Sequence, residues 1–143
     1  MILLDTNVIS EPIKPGGGDP RVTAWLDDQA METLCLSIFT VGELLYGIEV
    51  LPHGRRRDGL LRRITVEVLP AFAGRIHPFD DAAARASATL RAAARAAGRT
   101  VPTVDGFIAA TAMARGLALA TRNTRHFAGA GVEVIDPWAG PRR

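Results

Sequence analysis

The chain has 143 residues, 48% of them hydrophobic, with 17 Lys and Arg against 15 Asp and Glu and a single cysteine. A chain of that length forms one domain, residues 1–143, and buries roughly 70% of its unfolded surface, so it needs no covalent staple. Cys35 has no partner for an internal disulfide, and no Lys or Arg precedes the opening apolar run that Asp5 interrupts, which argues against a signal peptide or membrane anchor and for a cytoplasmic protein.

Ile2–Leu4 reads as a buried strand, and the polar island Asp5-Thr6-Asn7 follows it directly. Asp5 or Thr6 has a purely structural alternative as the cap of a short helix through Glu11. Pro15 to Gly18 is a loop, after which Asp19-Pro20 starts a helix with a capping residue and a Pro at its first position. Residues 34–36 are strand-like and contain Cys35, read as a small core residue. A helix follows Ser37, and Glu43 in it stands at capping-box spacing from Thr40, a structural alternative to any chemical role.

Residues 55–69 read as a third helix and 75–77 as a strand. Asp80 caps an Ala- and Arg-rich helix over 81–97, and Thr103 caps one over 104–115 that ends at Gly116 in a left-handed cap. That last helix is apolar almost all round, so it should be buried against a sheet, with Asp105 held rigidly in its first turn. A negative charge there is also favourable for the helix dipole, by about 0.3–1 kcal/mol. Strands over 117–120 and 132–135 complete an alternating pattern that implies an α/β fold with a parallel sheet. In such sheets the functional crevice lies beyond the carboxyl ends of the strands, where Asp5 follows the first one. Asn123, after the fourth strand, reads on its own as a turn residue.

Charge is unevenly spread. Residues 1–50 carry two basic and eight acidic groups, and residues 51–100 carry ten basic and four acidic. An acidic part suited to cations beside an Arg-rich part suited to phosphates is a plausible nuclease layout. Hard cations such as Mg²⁺ and Mn²⁺ take oxygen ligands and keep several waters, so carboxylates from separate segments are the donors they require. His53, His77 and His126 show no zinc spacing, and no phosphate-cradling glycine motif or nucleophile elbow is present, which disfavours zinc and nucleotide-cofactor chemistry.

Four motifs stand in order along the chain: Ile2-Leu-Leu-Asp-Thr-Asn-Val-Ile-Ser10, Ser37-x-x-Thr-x-Gly-Glu-Leu-x-x-Gly47, Asp105-x-x-Ile-Ala-Ala-x-Ala112 and Ala120-Thr-Arg-Asn-Thr-Arg-x-Phe127. Together they resemble the PIN-domain family, and within it the VapC/FitB toxins of type II toxin–antitoxin pairs, from Met1 to about Trp138. The resemblance implies a three-layer α/β fold with a five-stranded parallel sheet flanked by helices, and Mg²⁺- or Mn²⁺-dependent RNA hydrolysis. It implies Asp5, Glu43 and Asp105 as the catalytic, metal-holding carboxylates, with Thr6, Asn7, Ser37 and Asn123 in support. Many PIN domains have a fourth acidic residue near the last motif, whereas this chain has Asn123, so the expectation is single-ion loading of the free protein.

The resemblance further implies a small cognate antitoxin, contact with operator DNA only through that antitoxin, and a homodimer. Apolar faces near Leu44 to Leu51 and Leu60 to Leu69 are candidate interfaces. Arg55, Arg56 and Arg57, with Arg62 and Arg63, are candidate RNA contacts, set against solvated surface or antitoxin contact. Two alternatives stand beside this reading. A haloacid-dehalogenase-type phosphatase needs an acid where the chain has Asn7, and a degenerate PIN fold would serve only as a binding module.

Overall fold

The computed structural model describes residues 1–140; residues 141–143 of the expected domain lie outside the described residues. Five strands, β1 (Ile2–Leu4), β2 (Leu34–Ser37), β3 (Ile76–His77), β4 (Ala118–Ala120) and β5 (Val134–Ile135), form one sheet in the order β3-β2-β1-β4-β5. Every pairing is parallel, with Leu3 beside Cys35 on one side and Leu119 on the other. The chain leaves β1 toward β2 and β3, then returns to the other side of β1 for β4. The strand order therefore switches between β1 and β4, and it is beyond the carboxyl ends at such a switch that open α/β sheets place their functional crevice.

The helices in chain order are α1 (Thr6–Ile9), α2 (Pro20–Asp27), α3 (Ile38–Glu49), α4 (Arg55–Arg62), α5 (Leu69–Ala71), α6 (Asp81–Ala96) and α7 (Thr103–Ala114). Because side chains alternate across a strand, Leu3, Cys35 and Leu119 face one way, packing with Leu90 of α6, Ile108 of α7 and Phe127. Leu4, Leu36 and Ala120 face the other way, against Val8, Val22 and Trp138. Two dry layers on one sheet give the three-layer sandwich expected from the near-continuous apolar strands. α7 is the buried helix that its composition required, with Ile108, Ala109, Ala110, Thr111 and Ala112 all inaccessible.

Several boundaries differ from the sequence reading, each for a local reason. α1 spans Thr6–Ile9, and Glu11 begins a separate short 3-10 turn, Glu11–Ile13. The expected helix over 55–69 is three pieces, because a π-helical stretch, Arg63–Val68, separates α4 from α5. Pro70 has no N–H to return to Val66, and Thr65 Oγ1 donates to Leu61 O at 2.7 Å, which together loosen the helical ladder there. Pro102, not Thr103, occupies the N-cap of α7, and Thr103 is already helical. At the other end Gly116, at φ 64°, closes α7 with a bond from Leu117 N to Ala112 O at 2.9 Å, the predicted left-handed cap.

The capping-box alternative for Glu43 is not realised. Ser37 caps α3 by accepting from Thr40 N at 3.1 Å, so Glu43 lies nearly two turns inside the helix, free to point elsewhere. The expected interface faces are also largely consumed internally, since Leu44 and Ile48 of α3 pack on Ile64. The large apolar side chains left exposed here are Ile38 and Tyr46 on α3 and Val50 just after it.

Candidate active site

Asp5 leaves the carboxyl end of β1 beside β4, where its N–H donates to Ala120 O at 2.9 Å. Its side chain is only 3% exposed and accepts three hydrogen bonds: from Thr6 N at 2.7 Å, Thr121 Oγ1 at 2.7 Å and Asn7 Nδ2 at 3.1 Å. The Thr6 contact is a helix cap, so the structural alternative holds in part. One cap bond does not account for the other two donors. Burial pushes the Asp5 carboxyl above the usual carboxylate range; its three donors pull the other way, and the nearby charge of Asp105 adds to the rise.

Glu43 projects from α3 toward the same end and accepts from Thr6 Oγ1 at 2.5 Å. Thr40 Oγ1 lies 3.3 Å from both Thr6 Oγ1 and Ser37 Oγ, so a line of hydroxyls runs from the capped start of α3 to Glu43. Ser37 therefore acts on Glu43 only through this line. Asp105, in the first turn of α7, faces Asn123 Nδ2 at 3.5 Å and His126 Nδ1 at 3.7 Å. Burial, and after it the charge of Glu43, raises the Asp105 carboxyl, with His126 and Asn123 opposing. Asn7 ties the cluster together, since its Oδ1 accepts from Arg122 N at 3.3 Å while its amide donates to Asp5.

Asp105, at the start of α7, thus lies within reach of the charge of both Asp5, after β1, and Glu43, on α3, and among the described residues none of the three is ion-paired to a Lys or Arg. No group of three His, Cys, Asp or Glu side chains among the described residues is close enough to hold an ion in direct contact from all three. An all-oxygen donor set of this kind suits a hydrated Mg²⁺ or Mn²⁺, which binds through one or two carboxylates and keeps several waters. The residues present fit such an ion. Residues 2–132 match the PIN domain family.

The chain belongs to the PIN-domain family. Within it the chain falls in the VapC/FitB group. It is 50% identical over 138 residues to VapC ribonuclease Y4jK of Sinorhizobium fredii, covering 96% of this chain and 98% of that protein. It is 46% identical over 138 residues to toxin FitB of Neisseria gonorrhoeae, covering 96% of this chain and 99% of that one. A solved structure of FitAB bound to an IR36 DNA fragment superposes with a TM-score of 0.95 at 43% identity, spanning 100% of this chain and 99% of the matched one.

In this PIN domain the sequence reading missed three residues. Thr121 donates to Asp5 from the carboxyl end of β4, and the crevice rule that singled out Asp5 points equally to the residue ending β4. Thr40 is fully buried, and the Ser37-x-x-Thr40 spacing would have placed it at the third residue of the helix, over Ser37. His126 reaches Asp105 only because the 3-10 turn Thr124–Phe127 brings it round, for which the sequence carries no clear signal. Of the arginine run, Arg57 is paired to Glu49 at 3.2 Å, whereas Arg56 lines with Glu43 and Lys14 a groove of about 240 Å³ between α3 and α4. Arg55 is exposed.

Proposed function

We propose that this chain is the ribonuclease toxin of a toxin–antitoxin pair and hydrolyses RNA phosphodiester bonds at the acidic crevice, with Mg²⁺ or Mn²⁺ held by Asp5, Glu43 and Asp105, in part through bound water. The observation that carries the reading is the gathering of three carboxylates from three segments at the switch point of the sheet, none of them ion-paired to a Lys or Arg among the described residues. The names and titles of the similar proteins, a VapC ribonuclease, a toxin and a FitAB complex on DNA, support the same reading.

The chemistry an ion supplies in such a site is activation of a water and neutralisation of charge developing on the phosphate. The protein's part is to keep the carboxylates ionised and aimed. Thr121, Thr6 and Asn7 hold Asp5 in one orientation, Thr6 orients Glu43, and Asn123 donates to Asp105 where many relatives in the family carry a further acid. Side-chain nucleophiles play no part: Cys35 is sealed inside the sheet with its thiol pushed up by burial, and Thr6 and Thr121 donate their protons to carboxylates. With three carboxylates and Asn123, the free protein binds one ion, which calorimetric titration would read as a stoichiometry of one.

A cognate antitoxin fits the groove beside Glu43. Its Ile13, Leu44, Ile48 and Leu60 take apolar side chains and Glu43 takes a basic one. Operator DNA is reached only through that partner, and the protein acts in the cytoplasm as a homodimer. Arg55, Arg56 and Arg57 are in this reading ancillary RNA contacts, with Arg56 nearest the carboxylates. Incubating the antitoxin-free chain with total bacterial RNA and Mg²⁺ or Mn²⁺ tests the activity. Discrete fragments that vanish with chelator and in Asp5→Ala are expected. Folded protein that cuts nothing with either metal would overturn it in favour of a non-catalytic binding module.

A further inference from the structure

A polyanion approaching a cluster of three carboxylates is repelled, so a nuclease of this design needs cationic groups at the rim to draw phosphates in. Residues 82–104 hold four arginines, Arg85, Arg91, Arg95 and Arg99, and no Asp or Glu. The fold brings three of them to the catalytic end of the molecule. α6 and α7 pack as an antiparallel pair, pinned at one end by Arg115 Nη2 to Asp80 Oδ2 at 3.0 Å. The opposite end therefore joins the close of α6 to the start of α7, where Asp105 sits.

There Arg91, Arg95 and Arg99 line one cavity of about 390 Å³ with Thr100 and Val101. The stem of Arg91 runs over Gly106, the residue after Asp105: a Cβ at Gly106 would stand 4.0 Å from Arg91 Cγ. Arg99 Nη1 donates to Ala128 O, two residues beyond the His126 that faces Asp105. The cavity is thus bracketed by the two segments that carry Asp105 and His126. Among the described residues none of the three guanidinium groups is in an ion pair, whereas Arg85 at the far end of the helix is taken by Asp81 at 2.8 Å. Proximity to a helix C-terminus stabilises Arg95 through the dipole, but that does not require three arginines opening on one cavity.

We propose that Arg91, Arg95 and Arg99 form a phosphate track for single-stranded RNA that leads to the Asp105 side of the crevice. The proposal rests on the nuclease reading for its occupant. Guanidinium groups grip phosphate oxygens bidentately, and three of them at four-residue spacing, lining one cavity, can follow a backbone irrespective of base. These arginines set affinity and register, not the chemical step.

The test is binding of a fluorescent mixed-sequence RNA oligonucleotide to the full antitoxin-free chain in chelator, across a salt series, paired with cleavage of the same RNA in Mg²⁺. Arg91→Gln/Arg95→Gln/Arg99→Gln together should lower the magnitude of the slope of log affinity against log salt by about 2, at about 0.7 per lost phosphate contact. In cleavage the same protein should show a raised KM with kcat unchanged. The corresponding triple Lys variant should keep the slope, and Arg85→Gln should behave as wild type. If the triple Gln chain does not fold, Arg95→Glu, on an exposed position, should still weaken binding at low salt. A salt slope and affinity equal to wild type in folded variants would overturn the track. Arginine-dependent binding without cleavage would overturn the nuclease reading alone, and a wild-type chain that neither binds nor cleaves would overturn both.

Discussion

Asp5 is the residue on which the site turns, because it is nearly buried and yet surrounded by donors that match a carboxylate and nothing else. Thr121, directly after β4, contributes a fully buried side-chain donor to it. Thr121→Val keeps the shape and removes that hydrogen bond, and outer-shell donors of this kind are worth about 10–100-fold in activity. Initial rates of RNA cleavage should fall by that factor while the fold, read by circular dichroism, is retained. Asp105 is different: it is half-buried, raised by desolvation and by Glu43, and has only long contacts to Asn123 and His126. Asp105→Asn removes a charge that costs stability in the empty site. In chelator its Tm should exceed that of wild type, and its cleavage should be lost; a lower Tm would show that the repulsion is not felt. Asp5, Glu43, Asp105, Thr6 and Asn7 were legible because polar residues in apolar surroundings demand a reason. His126 was not, since its place depends on a single turn, Thr124–Phe127.

At the scale of elements, the loop before α2 shows how local chemistry anchors the rim of the crevice. Glu11 is buried and accepts from Lys14 Nζ at 2.6 Å and Asp19 N at 2.9 Å. Gly18 makes this possible: at φ 70° any Cβ would lie 2.3 Å from Glu11 O. Gly18→Ala should destabilise by more than about 1 kcal/mol, whereas Gly59→Ala, inside α4 with open space around it, should stabilise by about 0.5–1 kcal/mol. Denaturant titration of the two variants checks both signs. Asp19 caps α2, and the Arg21 guanidinium beside it lowers its carboxyl from 3.8 to about 2. A depressed folded pKa means stability present above the unfolded value and lost as pH falls through the folded one. The Tm advantage of wild type over Asp19→Asn should therefore be full at pH 5 and gone near pH 2. The caps at Asp19, Ser37 and Asp80 were readable from residue type and spacing. The break at Arg63–Val68 was not, because Pro70 acts on a turn upstream of itself.

For the whole molecule, the parallel sheet and its switch between β1 and β4 convert residues 116 positions apart, Asp5 and Thr121, into direct partners. If that crevice is the cation site, Mg²⁺ should raise the Tm of wild type by mass action and leave Asp105→Asn unmoved. Differential scanning fluorimetry over a metal series reads this directly, and an equal rise in both would place the ion elsewhere. The two-sided packing of the sheet, α7 as a buried helix and the acidic character of the crevice were all written in composition and periodicity, because apolar runs have to be covered and lone carboxylates have to be matched. What only the tertiary structure decided was pairing at a distance. Glu43 could have capped its own helix until Ser37 was seen to do so, freeing it to meet Thr6. The Arg-rich stretch read as a single charged region until the α6 and α7 pair gathered Arg91, Arg95 and Arg99 beside Gly106 and left Arg85 with Asp81. A sequence determines which groups need partners; which partners they find depends on how the helices return across the sheet.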